Sequence, residues 1–232
     1  MDVVLNESMA ATCNSRATET MFNSRLMVRS QGYAVYNDLP GFQELRTEAK
    51  LMFPSAEKRE WWEVGTGESR SATIDDDRIN GQPRRHALST PGGNTQRSIY
   101  HAPSLLSFLS TETGLSLERK AETGSFIYYV QPGDFIGLHR DAPGCDVAVI
   151  TVLYDSLTQA EDGGGLLIYR DRLYDSIYSI RQNPSYGAVL VKLLPGQTII
   201  LLGGLIPHRL IPVQTGQIRV ISALCFKLTN GR

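Results

Sequence analysis

Four side chains in this sequence are of the types, and in the order, needed to hold a cation beside an anion. His139 and Asp141 stand two apart in GDFIGLHRDAPG. In extended chain, residues i and i+2 point the same way, so an imidazole and a carboxylate can face one point. His208 comes much later, in PGQTIILLGGLIPHRLIPV, where a strand-like run and a Gly-rich turn precede a histidine that opens another strand. Two imidazoles and one carboxylate on one face leave metal positions open, a set that suits Fe(II); zinc is better served by a third His or by thiolates. Arg219 lies in the alternating run QIRVISALCF. An inward arginine in a β-barrel is costly unless it meets an anion, and its planar fork fits a carboxylate. Taken singly, each residue has a bland reading: a satisfied polar His139, a turn at Asp141-Ala-Pro-Gly, a strand start at Pro207-His208. The case rests on their combination and order.

The surrounding text says what must position them. After Gly124 come SFIYYV, DVAVITVLY, GLLIYR, GAVLVKLL, QTIILL and QIRVISALCFKL, short runs rich in β-branched and aromatic residues and punctuated by Gly and Pro. Strands without long intervening helices predict an antiparallel sandwich or barrel. Before them, RLMVRSQGYAVY changes from helical to alternating period at Gly32. PGFQELRTEAKLMF reads as a helix with Phe42, Leu45, Ala49 and Met52 on one face, and PSLLSFLSTETG as a short helix closed by Gly114. Residues 1–20 read as a flexible tail and residues 63–98 as a long irregular segment, the kind of segment that carries substrate contacts. Within and beside it, Arg84-Arg85-His86 reads as a solvated loop, Trp61-Trp62 as packing or lid, and Asp75-Asp76-Asp77 as an acidic turn. VGTGESR lacks the Lys and third Gly of a phosphate loop. His86 and His101 read as surface or support residues; Arg97, Arg140 and Arg170 are candidates to pair with a substrate carboxylate.

Composition narrows the function class. The chain has 232 residues and a net charge of −1, which weighs against a non-specific nucleic-acid binder. Cys13, Cys145 and Cys225 show no CxxC spacing, so idle thiols and a reducing cytoplasm are the expectation. The N-terminus lacks a secretory pattern, and no apolar run reaches the ~18 residues of a membrane helix.

The order His139-x-Asp141, His208, Arg219 resembles the metal triad and co-substrate anchor of the Fe(II)/2-oxoglutarate-dependent dioxygenases. YYVQPGDFIGLHRD, GGGLLIYR, LLPGQTIILLGGLIPHRLIPV and GQIRVISALCF are similar to that family's surrounding text. The match runs roughly from Tyr128 to Phe226. The resemblance implies a mainly β fold, a double-stranded β-helix (jelly roll, cupin-like) with buttressing N-terminal helices. One domain would span 1–232, its jelly-roll core 125–228. It implies His139, Asp141 and His208 as the catalytic metal ligands, and Arg219 on the distal carboxylate of 2-oxoglutarate. Tyr129 would hydrogen-bond that co-substrate, and Thr151 would line the same pocket by strand position. Fe(II), 2-oxoglutarate and O2 are the implied cofactor and co-substrates. The sequence departs from some subfamilies: Ser222 is three residues after Arg219, not two, and Ile136 stands where prolyl hydroxylases carry a tyrosine. The implied activity is hydroxylation of a C–H bond in a small molecule, such as an amino acid or a natural-product intermediate. Prolyl-hydroxylase-like oxidation of a peptide or protein side chain is the second enzyme reading, and a non-catalytic cupin-like binding domain is the reading of a different class. No nucleic acid or membrane partner is implied, and the oligomeric state is open.

Overall fold

The computed structural model describes residues 28–37, 40–60, 85–159 and 163–229. The expected tail, Trp61-Trp62, the Asp75-Asp76-Asp77 turn, VGTGESR, Arg84 and Cys13 lie outside them. The chain runs β1 (Tyr33–Tyr36), α1 (Phe42–Met52), β2 (Glu57–Glu60), β3 (Arg85–Pro91), α2 (Asn94–His101), α3 (Pro103–Thr113), β4 (Leu117–Arg119), β5 (Ser125–Tyr129) and β6 (Phe135–His139). It continues with β7 (Val147–Asp155), β8 (Leu166–Ile168), α4 (Ile177–Gln182), β9 (Val189–Val191), β10 (Thr198–Leu201), β11 (His208–Leu210) and β12 (Arg219–Leu228). Each strand-like run named in the sequence forms a strand.

All strand pairs are antiparallel. The sheet order is β1-β10-β7-β12-β5-β3-β6-β11-β8-β9, with β2 on β3 and β4 on β12. The sheet curls so that its two halves share one apolar interior. Tyr129, Val152, Ile199, Leu201 and Ile221 from the first half meet Leu166, Ile168 and Leu210 from the second. This is the expected double-stranded β-helix with buttressing helices.

α1, α2 and α3 cover the outer face of the half that contains β7 and β12, and α4 packs on β6 of the other half. In α1, Leu45 and Ala49 are buried against Phe126, Tyr128 and Leu153, with Phe42 and Met52 beside them. That is the stripe the 3.6-residue period predicts. Tyr100 of α2 and Leu109 of α3 pack on Val147, Val149, Ile200, Leu224 and Phe226. Gly114 ends α3 in the left-handed region at φ 72°, where a Cβ is penalised.

Two expectations are corrected. The second half of the supposed irregular segment is β3 and α2. β3 pairs with both β5 and β6 and so joins the two halves of the sheet. Its polar text, RHALSTP, hides this because the strand is pinned by pairing on both edges more than by its own apolar residues. The second correction concerns the thiols: Cys145 and Cys225 form a disulfide across 80 residues, their Cα atoms 4.9 Å apart. No local spacing could reveal it, because β12–β7 pairing brings the two together. Such bonds persist in oxidising surroundings and are rare in a reducing cytoplasm, so the pairing weighs against the expected compartment. No described helix is long and apolar enough to cross a membrane.

Closing so long a loop constrains the unfolded chain by about 4 kcal/mol. Reduction, or Cys225→Ser, is therefore expected to lower the melting temperature by roughly 10 °C, read by thermal denaturation with and without reductant.

Candidate metal centre

β6 ends on His139 and β11 begins on His208, and the register sets these two residues directly opposite one another. Opposed residues in an antiparallel pair share a face, and the two rings lie 4.3 Å apart between centroids. Each imidazole is oriented from behind. His139 Nδ1 is 2.8 Å from the Gly137 carbonyl, and His208 Nδ1 is 2.9 Å from the Ile206 carbonyl. A carbonyl only accepts, so each Nδ1 donates and each Nε2 keeps its lone pair. Both rings are buried.

Asp141 leaves the end of β6 and is held by its own backbone, whose N–H donates to the Gly203 carbonyl at 2.8 Å. Its Oδ1 lies 3.4 Å from His139 Nε2 and 3.7 Å from His208 Nε2. One ligand atom from each residue falls within 4.8 Å of the other two. Asp141 Oδ2 is buried with no hydrogen bond. A desolvated carboxylate oxygen beside two lone pairs is costly alone and is relieved by a cation. Burial, reinforced by His139, pushes His208 down to about 4, so its ring is neutral near pH 7, the form that ligates. Burial alone would raise the Asp141 carboxyl, but His208 and His139 outweigh it and hold it below its ordinary value. The donor set fits a divalent first-row cation.

Gly203 is needed here for space. A Cβ on it would stand 1.9 Å from Asp141 Oδ2 and 3.4 Å from His208 Cε1.

Arg219 opens β12 and sits opposite both Tyr129 of β5 and Asp155 of β7. All three are buried and face the interior. Asp155 gets there by a β-bulge: Val220 pairs with Tyr154 but Ile221 with Val152, so Leu153 is the extra residue. The Arg219 guanidinium donates from Nη1 to Asp155 Oδ2 and, at 3.3 Å, to the Leu193 carbonyl. Its Nε is buried with no hydrogen bond. Burial lowers its pKa from the usual value, partly offset by Asp155. Burial likewise pushes the Tyr129 phenol up to about 12 against the pull of Arg219 and Arg85, so it stays a neutral O–H donor.

The structure brings five of the six expected site residues to the interior. Thr151 is the exception. Val152 next to it points inward, so Thr151 points outward. It is opposite Ser222, whose hydroxyl accepts from Gln96 of α2, and its own hydroxyl bonds Thr198 at 2.8 Å. The bulge misleads a count from strand position alone.

Arg140, His86 and His101 settle into structural roles. Arg140 donates to the carbonyls of Leu205, Leu173 and Asp175. Arg170 lies 3.6 Å from Asp171. His86 belongs to β3 and meets buried Asp134, in place of a solvated loop, and His101 Nε2 meets the Glu122 carbonyl at 2.8 Å. Two interior residues were missed by sequence reasoning, Asp155 and Lys192. The signal was present for Lys192, a charge interrupting the apolar run GAVLVKLL.

Neither a family model nor a curated protein matches the sequence. Solved structures do match by shape. A prolyl-4-hydroxylase from Pseudomonas putida is similar over 90% of this chain and 100% of its own, with a TM-score of 0.59 and 16% identity. The epimerase SnoN from nogalamycin biosynthesis, in complex with Fe3+, alpha-ketoglutarate and nogalamycin RO, is similar over 90% of this chain and 84% of its own, with a TM-score of 0.63 and 14% identity. A prolyl hydroxylase from Trichoplax adhaerens, in complex with a hypoxia-inducible-factor peptide fragment, covers 91% of this chain and 92% of its own, with a TM-score of 0.56 and 16% identity. At these identities the likeness establishes a shared fold.

Gly203→Ala is expected to weaken Fe(II) or Mn(II) binding at least about tenfold by displacing Asp141, read by calorimetric titration, with the circular-dichroism spectrum unchanged. Thr151→Val is expected to cost about 1 kcal/mol of stability and to leave 2-oxoglutarate binding unchanged, in contrast to a residue of the interior.

Proposed function

We propose that this chain, which has the fold of iron(II)/2-oxoglutarate oxygenases, is itself an Fe(II)- and 2-oxoglutarate-dependent dioxygenase. Its reaction would be hydroxylation of a C–H bond in a small molecule, such as an amino acid or a natural-product intermediate. The observation that carries this reading is the convergence of His139, Asp141 and His208 on one point, inside the same barrel as buried Arg219 and Tyr129. A binding domain without turnover has no need of an unpaired carboxylate oxygen beside two oriented lone pairs.

His139 Nε2, His208 Nε2 and Asp141 would hold Fe(II), leaving positions for co-substrate and O2. When bound there with 2-oxoglutarate, Fe(II) supplies oxygen activation, in which the 2-oxo acid is converted to succinate and CO2 and one oxygen atom goes to the substrate. The residues of the chain do the rest. Arg219 binds the distal carboxylate of the co-substrate, and the Tyr129 O–H donates a hydrogen bond to it. The carbonyls of Gly137 and Ile206 keep both imidazoles in the ligating tautomer. The aliphatic interior of Val152, Ile168, Ile199 and Ile221 excludes water from the reacting centre.

A single domain over 1–232 accommodates all these roles. A small-molecule substrate fits the described residues, among which no peptide-docking module is evident. Oxidation of a peptide side chain is the second reading, supported by the likeness to a prolyl hydroxylase that holds a peptide.

Anaerobic Fe(II) and 2-oxoglutarate are expected to give the wild type a weak visible charge-transfer band, and His139→Ala or Asp141→Ala to abolish it. In air, the wild type should form succinate slowly without substrate and faster with the right metabolite. Arg219→Leu should raise the KM for 2-oxoglutarate by more than about tenfold without altering the melting temperature comparably. No band and no succinate from the wild type would remove the enzyme reading.

A further inference from the structure

The anion end of the barrel holds more charge than one arginine. Lys192, just after β9, places Nζ 3.1 Å from Asp155 Oδ2, the same oxygen that Arg219 Nη1 engages. The side chains of all three are nearly or fully buried, at 6%, 0% and 2% exposure for Lys192, Asp155 and Arg219. Nζ also donates to the Gly163 carbonyl at 2.6 Å. Asp155 Oδ1 is fully engaged by the Leu157 N–H at 3.1 Å and by Gln217 Nε2 at 2.9 Å. Among the described residues, Asp155 is the sole carboxylate in ion-pair contact with either cation.

The charge count decides what this cluster is for. Arg219 and Asp155 alone are a neutral pair, which attracts a further anion weakly. Adding Lys192 leaves one uncompensated positive charge in a desolvated site, an arrangement that is costly unless an anion arrives. Asp155 also occupies only the Nη1 side of the guanidinium. The Nε side makes no hydrogen bond and lies beside Gly164, where a Cβ would stand 2.8 Å from Arg219 Cδ and 3.4 Å from Nε. A side chain at position 164 would press on the arginine, so glycine there lets Arg219 keep its place.

We propose that Lys192 is the specificity-determining residue for the acidic end of the co-substrate: by neutralising Asp155, it frees the charge of Arg219 for a distal carboxylate. This rests on the reading of the chain as a 2-oxo-acid-dependent enzyme and names what makes that site prefer a dicarboxylate. Asp155 is the positioning residue between the two cations.

The test is direct binding to the protein loaded with redox-inert Mn(II) or Zn(II), by calorimetry. Two probes are compared, 2-oxoglutarate and 2-oxopentanoate, which has the same carbon chain but ends in a methyl group. The wild type should bind 2-oxoglutarate much more tightly. Lys192→Met should weaken 2-oxoglutarate at least about tenfold and leave 2-oxopentanoate within about twofold, while Lys192→Arg restores the preference. Lys192→Gln carries the same comparison if methionine at this position prevents folding. Equal 2-oxoglutarate affinity in wild type and Lys192→Met overturns the proposal, and so does an equal loss for both probes, which marks Lys192 as merely structural. A wild type that binds neither probe removes the underlying enzyme reading as well, an outcome distinct from both.

Discussion

In an antiparallel pair, residues directly opposite share a face, so the register that sets His208 against His139 is the constraint on which the site depends. A slip of one residue would send one imidazole outward. The register is fixed on both sides of β11, because β8 pairs along its other edge with Ile168 opposite His208. The carbonyls of Gly137 and Ile206 then turn each ring so that Nε2 points to the shared face. Asp141 completes the set from a connection tied to the Gly203 carbonyl, and the disulfide at Cys145 anchors that same connection to β12. Pairing, tautomer and loop anchorage converge on one small volume.

The opposite end of the interior obeys a second constraint, that buried charges must be balanced or must await a ligand. Tyr129, Arg219 and Asp155 are brought into line by cross-strand pairing, and Lys192 enters from the other half of the sheet. Between the two ends lie aliphatic side chains. One curled sheet thus holds a set of lone pairs at one place and excess positive charge at another. A small acid with a chelating end and a distal carboxylate is complementary to that division.

The candidate metal cluster was legible in the sequence because it is carried by residue type and order. His139, Asp141, His208 and Arg219 need only be present, in sequence, among strand-like runs. The α1 stripe and the Gly114 stop were legible because helix period and chirality act over a few residues. What was hidden depends on pairing between distant strands. β3 reads as irregular because its stability comes from pairing with β2, β5 and β6. The Thr151 prediction failed because a bulge near Leu153 shifts which residues of β7 face inward, and simple alternation cannot show that. The Cys145–Cys225 bond and the Asp155–Lys192 contact join segments whose closeness only the sheet order creates.

The central claim is that two imidazoles and one carboxylate form a single cation site. Crystals of the protein soaked anaerobically with Fe(II) and measured for anomalous scattering at the iron edge test it most directly. One strong peak within coordination distance of His139 Nε2, His208 Nε2 and an Asp141 carboxylate oxygen is the expected result. Iron bound elsewhere, or no peak at these three residues under saturating Fe(II), would contradict it.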